Sequence, residues 1–150
     1  MRAITIRHPW PWAICYFGKP LENRDWKPSP VQLCPGEKFA IHAGKMPPVS
    51  EIKEAFAGMD AMGVLDGHDI PSLDQLRTQE SSIVAVATYG GAVTESDSGW
   101  FAGMYGWKLL GQDDDVPLIV LPKPVQCRGA QGLWNVIPDV LDRMRAQVRK

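Results

Sequence analysis

The sequence predicts an α+β fold in which five or six short strands form a small mixed β-barrel with two to four flanking helices. Three observations support this class. Residues 2–7 alternate apolar and other side chains at a period of two, residues 83–93 are a β-prone apolar run, and residues 10–17 carry apolar side chains at helical spacing. A chain of 150 residues that is 45% hydrophobic can bury one core without a disulfide or a metal. We therefore expect a single domain over residues 1–150.

A short helix is predicted directly after the first strand. An apolar stripe at positions i, i+3, i+4 and i+7 indicates the helix, and Gly18 is placed to end it. The stripe consists of Trp10, Ala13, Ile14 and Phe17. Trp12 lies off this stripe, so its ring is a candidate for contact with a ligand rather than for the core.

Two strands are predicted next. Residues 21–26 favour a strand in which Glu22, Arg24 and Trp26 share one face, because side chains alternate between the two faces of a strand. A charged and aromatic face is unusual for a strand that only builds a core. Residues 38–43, with the sequence KFAIHA, predict a third and largely buried strand after a proline-rich loop.

Residues 49–82 have the features of an insertion on the outside of the barrel. Ser50 is predicted to cap a helix that runs to about residue 62, and Ser72 is predicted to cap a short helix over residues 73–79. The remainder of this segment is polar and acidic, which suits an exposed excursion. An acidic surface of this kind also leaves open a role as a protein-interaction domain.

The C-terminal half supplies the remaining strands and a last helix. Residues 83–93 predict a central strand because their apolar character is almost continuous. Residues 106–110 and 116–121 are further strand candidates, and Trp134 is expected in a core strand. Pro138 predicts the first turn of a C-terminal helix, since apolar residues follow it at helical spacing.

Charge is distributed unevenly along the chain, although the net charge is only −1. Residues 1–45 hold seven Lys or Arg against three Asp or Glu, residues 46–115 hold three against twelve, and residues 116–150 hold six against two. If the two basic ends meet in the fold, they form a basic face, because association responds to local potential rather than to total charge. Scattered, solvated charge is the equally weighted alternative.

The sequence gives no indication of a cofactor, a metal or a membrane. The cysteines and histidines lack the spacing of metal ligands, and no P-loop, dinucleotide-binding glycine pattern or serine-hydrolase elbow occurs. No apolar run reaches the roughly 18 residues that a spanning helix needs. The first residues also lack the features of a signal peptide, so we expect a cytoplasmic protein.

Several stretches of the chain, taken in order, resemble the ASCH domain, a member of the PUA-like superfamily. They are ITIRHPWPWAI followed by GKPLENRDW, then FAIHAGK, and then the pair GMYGWKLL and CRGAQGLWNV. Each stretch is a weak signal alone, but their order and spacing agree across nearly the whole chain. The resemblance implies a PUA-like barrel with a cleft beside the first helix, which similar proteins use for RNA or modified bases. Residues 49–82 match no part of this pattern.

The resemblance also assigns individual residues. Lys19 falls on the family's lysine after the first helix and Arg24 on its arginine, whereas Glu22 stands where amidohydrolases of this family carry a threonine. Those enzymes remove the acetyl group from N4-acetylcytidine with a lysine, a hydroxyl residue and a glutamate. Lys19 and Glu22 are therefore candidates for acid and base roles, with Glu95 a candidate for the distant glutamate. A solvated ion pair between Lys19 and Glu22 is the structural alternative.

We predict a module that binds RNA or a modified nucleoside in a basic, aromatic cleft beside the first helix. An amidohydrolase acting on N4-acetylcytidine or a related N-acylated base is the alternative. Arg24 offers bidentate donors for a phosphate or a base edge, and tryptophans outside the predicted core offer stacking surfaces. The predicted site residues are His8, Trp12, Lys19, Glu22, Arg24, Trp26 and Trp100.

Overall fold

The computed structural model describes residues 1–109 and 118–148, and within them the chain forms an α+β fold of eight strands and four helices. The elements in chain order are β1 (Arg2–Ile6), α1 (Trp10–Tyr16), β2 (Leu21–Arg24), β3 (Lys38–Ala43), α2 (Val49–Ala61), α3 (Leu73–Arg77), β4 (Ser82–Thr88), β5 (Ala92–Val93), β6 (Tyr105–Lys108), β7 (Ile119–Gln126), β8 (Leu133–Asn135) and α4 (Pro138–Val148).

The strands pair as two separate sheets. A five-stranded sheet has the order β7-β4-β3-β1-β8, and a three-stranded sheet has the order β2-β6-β5. Only β1 and β3 run parallel among the pairings of the described strands, which makes the larger sheet mixed. The α+β class is confirmed, but the pairing within residues 1–109 and 118–148 does not close into the single barrel that the sequence predicted.

The central strands of the five-stranded sheet are buried on both faces, which explains why β3 and β4 read as nearly continuous apolar runs. One face, with Ile4 and Ile41, packs toward Trp107 of the smaller sheet. The opposite face, with Ala40, packs against Met144 of α4. Burial on both faces is the physical reason that β4 is buried along its whole length and shows no alternation.

Several predicted boundaries are corrected. The second strand ends at Arg24, so Trp26 lies beyond it, and the run 83–93 divides into β4 and β5 around Gly91, whose φ is +93°. The first long helix begins at Val49 after Pro48, so the predicted cap at Ser50 is wrong.

The boundaries of three other predicted elements can also be compared with the structure. The predicted cap at Ser72 is confirmed, because its side chain accepts from the Gln75 amide, but the helix ends at Arg77 rather than at residue 79. The seventh strand begins at Ile119 and runs to Gln126, while residues 116 and 117 of the predicted strand lie outside the described residues. The C-terminal helix begins at Pro138 as predicted.

The segment predicted as an insertion, residues 49–82, contributes to a core of its own. Its helices α2 and α3 pack against α1 through a third apolar cluster. The buried members are Ala13, Phe17, Leu21, Ile52, Phe56, Met59, Leu76 and Trp100. Because α1 packs on this cluster from one side and on the main core from the other, the segment supports the first helix rather than lying loosely outside it.

None of the helices in the described part of the chain is both long enough and apolar enough to span a bilayer.

Candidate functional site

An open cleft of about 850 Å³ lies where β1 and β3 end. These strands are parallel, so their carboxyl ends meet at one edge of the sheet, and Thr5 and His42 line the cleft from there. The chain leaving β2 forms a second wall with Arg24 and Trp26. The loop 128–132 between β7 and β8 forms a third. Four segments that are distant in sequence, together with Ser81, therefore build the cleft.

The cleft is basic. Arg24, Lys45 and Arg128 line it together with a single carboxylate among its lining residues, that of Asp25. Arg24 and Lys45 come from the basic first part of the chain and Arg128 from the basic last part. Pairing of β1 with both β3 and β8 brings these parts together. Two basic ends that are separated in sequence thus contribute to one surface.

Trp26 gives the cleft an aromatic wall with a fixed position. Its half-buried ring packs edge-to-face on Trp107, with the ring centroids 4.9 Å apart and the planes at 89°. The Trp107 indole also donates to the Trp26 carbonyl oxygen at 3.0 Å. Because Trp107 is fully buried, these contacts anchor Trp26 to the core while part of its ring stays accessible.

A buried charge cluster lies behind the cleft. The Lys19 ammonium donates to Glu22 Oε1 at 3.4 Å, and Arg24 Nη2 donates to Glu22 Oε2 at 3.2 Å. The side chains of Lys19 and Glu22 are only 2% and 7% exposed, against 25% for Arg24. Burial lowers the pKa of Lys19, and the Glu22 carboxylate opposes that shift.

Arg24 connects this charge cluster to the cleft, because its Nη2 also donates to the Thr5 carbonyl oxygen at 2.9 Å. The Lys19 ammonium lies 5.3 Å from the centroid of the Trp10 ring and borders a separate, smaller cavity of about 210 Å³. The sequence placed Lys19, Glu22 and Arg24 in one group, and their side chains are indeed in contact. Of the three, Arg24 is the one that lines the basic cleft.

The other predicted site residues lie elsewhere. His8 is buried, its Nε2 lies 2.8 Å from the Gly44 carbonyl oxygen, and burial lowers its pKa. Trp12 is half-buried, and its ring packs against that of Tyr16 on α1 with the ring centroids 4.4 Å apart. Trp100, predicted as a loop residue for base contact, is only 9% exposed and packs in the third apolar cluster, so it is a core residue. Glu95 is exposed.

Sequence reasoning missed a hydrogen-bonded group on the cleft floor. Thr5 Oγ1 lies 3.1 Å from His42 Nδ1, and the Trp134 indole donates to the same oxygen at 3.1 Å. The other imidazole nitrogen, His42 Nε2, lies 2.9 Å from the Cys127 carbonyl oxygen. The available signal was a histidine within an otherwise apolar strand, but nothing local indicated its partners.

Comparison with known proteins assigns no family to this site. No family model matches the chain, and no curated protein matches it in sequence. Among residues 1–109 and 118–148, no group of three His, Cys, Asp or Glu side chains is arranged to hold a metal ion. The functional argument therefore rests on the geometry of the cleft and on the residues that line it.

Proposed function

We propose that the chain is an ASCH-type, PUA-like module that binds single-stranded RNA or a modified nucleoside in the basic cleft. The observation that carries this proposal is the joint presence of cationic side chains and one anchored tryptophan around the same opening. The order of the ASCH-like stretches supports it, because two of them, FAIHAGK and CRGAQGLWNV, supply His42, Lys45, Arg128 and the 128–132 loop.

The chemistry of the walls fits a nucleotide. Arg24, Lys45 and Arg128 supply positive charge for phosphates, and Trp26 offers a ring face on which a base stacks. The cleft volume of about 850 Å³ lies within the range of roughly 300–1,000 Å³ that is typical of small-molecule sites. The cleft is therefore large enough to hold a nucleotide.

Replacing Trp26 with leucine is expected to weaken binding of a short oligouridine by about 5- to 150-fold, because one base loses roughly 1–3 kcal/mol of stacking energy. Leucine retains an apolar contact for Trp107, so the core is preserved. The measurement is fluorescence anisotropy of a labelled oligonucleotide titrated with the protein. Retention of wild-type affinity in this variant would remove Trp26 from the proposed site.

Arg128→Gln is expected to weaken oligonucleotide binding at low salt and to reduce the slope of log K against log salt by about 0.7, the contribution of one phosphate contact in a single strand. Lys53→Gln on α2 removes the same charge from an exposed position that does not line the cleft, and serves as the matched control. Equal slopes for the two variants would show that the attraction is not local to the cleft.

A second candidate function is hydrolysis of N4-acetylcytidine or a related N-acylated base, and the buried Lys19–Glu22 pair favours it. Burial lowers the pKa of Lys19, which favours the neutral amine that proton abstraction requires. Lys19→Met removes the amine and keeps the volume, while Glu22 retains its contact with Arg24. Cytidine release by the wild type is expected to fall by about 100-fold or more in this variant.

The readout is chromatographic separation of cytidine from N4-acetylcytidine, with circular dichroism as the check that Lys19→Met is folded. Undiminished release in a folded variant would show that Lys19 has no catalytic role. Absence of release in the wild type, combined with cleft-dependent oligonucleotide binding, would leave the binding function alone.

A further inference from the structure

The hydroxyl and the imidazole on the cleft floor have the arrangement of a nucleophile and its general base. Thr5 on β1 and His42 on β3 are direct partners in the parallel register, which places both side chains on the same face of the sheet. Their reactive atoms, Oγ1 and Nδ1, are 3.1 Å apart, and both residues line the open cleft. A pair of this kind is the minimum required for nucleophilic catalysis.

Hydrogen bonding fixes the imidazole in the form that accepts a proton from Thr5. A carbonyl oxygen only accepts, so His42 Nε2, which lies 2.9 Å from the Cys127 carbonyl, carries the hydrogen. Nδ1 then has a free lone pair directed at the Thr5 hydroxyl. Burial lowers the pKa of His42, which favours the neutral ring that can accept a proton. Edge-to-face packing on Trp134, with centroids 5.3 Å apart, holds its orientation.

The same contacts orient the threonine. An indole nitrogen only donates, so Trp134 Nε1 gives its hydrogen to Thr5 Oγ1 and leaves the hydroxyl proton for His42. One lone pair of Oγ1 remains for attack on a ligand in the cleft. The surrounding cations, Arg24, Lys45 and Arg128, supply positive charge for an oxyanion that develops beside it.

Gly129 shows how tightly the loop covers this pair. A side chain at this position would place its Cβ 2.5 Å from Thr5 Oγ1 and 2.7 Å from His42 Nδ1, closer than atoms approach without moving. Only glycine leaves the hydrogen bond intact beneath the loop. The 128–132 loop thus forms a wall of the cleft and packs closely on the Thr5–His42 pair.

We propose that Thr5 and His42 form a catalytic pair that hydrolyses a carboxylic ester bound in the cleft, with the Cys127 carbonyl as the group that positions the imidazole. This activity goes beyond the binding function proposed above and uses residues other than Lys19 and Glu22. An ester suits the pair better than an amide does, because an alcohol leaves more readily than an amine.

The reaction proceeds in two balanced steps. Thr5 Oγ1 bonds to the carbonyl carbon as its proton passes to His42 Nδ1, and the bond to the alcohol oxygen breaks as that oxygen takes the proton. Water then attacks the threonyl ester, His42 takes its proton and returns it to Thr5 Oγ1, and the carboxylic acid leaves. No oxidant, reductant or further co-reactant is needed.

The probe is p-nitrophenyl acetate, with release of p-nitrophenol measured by absorbance and acetylation of the peptide containing Thr5 followed by mass spectrometry. Thr5→Val and His42→Asn are each expected to lower turnover by about 100-fold, which is a typical contribution of a nucleophile or a general base to the rate. Thr5→Ser retains a hydroxyl and is expected to retain turnover. Thr94→Val, at an exposed threonine outside the cleft, is the matched control and should match the wild type.

Turnover in Thr5→Val equal to that of the wild type and of Thr94→Val would overturn the proposal, because the release would then come from other surface groups. Loss of turnover in Thr5→Ser as well as in Thr5→Val, in folded proteins, would also overturn it. Oligonucleotide binding is measured on the same proteins. If Thr5→Val loses esterase activity but still binds the oligonucleotide, the result supports the Thr5–His42 pair. If the wild type hydrolyses the ester but does not bind the oligonucleotide, the proposed binding function is wrong and the catalytic pair is still supported.

Discussion

Glu22→Ala is expected to lower the free energy of unfolding by about 3–5 kcal/mol, the usual cost of removing one partner from a buried ion pair. Glu22 accepts from both Lys19 and Arg24, and the Lys19 side chain is only 2% exposed. Without the carboxylate, a desolvated ammonium loses its counter-charge. Urea denaturation followed by tryptophan fluorescence measures the change, with circular dichroism as an independent probe.

A matched control is available in the exposed ion pair of α3. The side chains of Asp74 and Arg77 are 94% and 55% exposed, so Asp74→Ala is expected to change stability by less than about 1 kcal/mol. A double variant, Lys19→Met with Glu22→Leu, is expected to recover part of the stability that Glu22→Ala loses, because apolar replacement of a buried pair is often neutral while Arg24 still lacks the Glu22 carboxylate. Equal effects of Glu22→Ala and Asp74→Ala would contradict the burial argument.

The elements that sequence reasoning located well are those whose signal is local. The alternation in β1, the apolar run of β3, the stripe of α1 and the proline start of α4 each depend on a few neighbouring residues. These segments bury the faces that the pattern indicates, although β1 also buries Ala3 on its other face. Local propensity and the final packing agree in them, so the sequence was sufficient.

Whether the strands close into a barrel could not be predicted from local sequence signals. Whether eight strands close into one barrel or divide into two sheets depends on pairings such as β1 with β3, which join residues far apart in the chain. The single strand predicted over residues 83–93 is instead two strands, β4 and β5, because Gly91 between them has a positive φ. A run of apolar residues carries no signal that separates these outcomes.

The same distinction between local and long-range signals applies to the residues of the candidate site. Arg24 and Trp26 were found because a charged and aromatic segment is conspicuous, whereas Trp100 was misplaced because its glycine and serine neighbours resemble a loop while its ring is buried. Thr5 and His42 were missed as a pair because only the parallel register of β1 and β3 brings them together. Long-range register therefore limits what the sequence reveals about the cleft.

Gly129→Ala is expected to lower p-nitrophenyl acetate turnover by about 100-fold, because the added methyl group occupies the space of the Thr5–His42 hydrogen bond. Its Cβ would lie 2.5 Å from Thr5 Oγ1 and 2.7 Å from His42 Cε1. Both neighbours belong to paired strands, and Thr5 is β-branched, so neither moves freely. The loop must lift or the pair must separate, and either change disrupts the geometry needed for proton transfer.

The free energy of unfolding of the same variant should fall by roughly 1–3 kcal/mol, the range for an overpacked site. Gly58→Ala on α2 is the matched control, because a Cβ there meets nothing within 4 Å and alanine favours a helix by up to about 1 kcal/mol. Thr5→Ala combined with Gly129→Ala removes the closest contact and is expected to regain part of the stability but none of the turnover. Wild-type turnover in Gly129→Ala would contradict the expected dependence of ester hydrolysis on the close packing of the loop against Thr5 and His42.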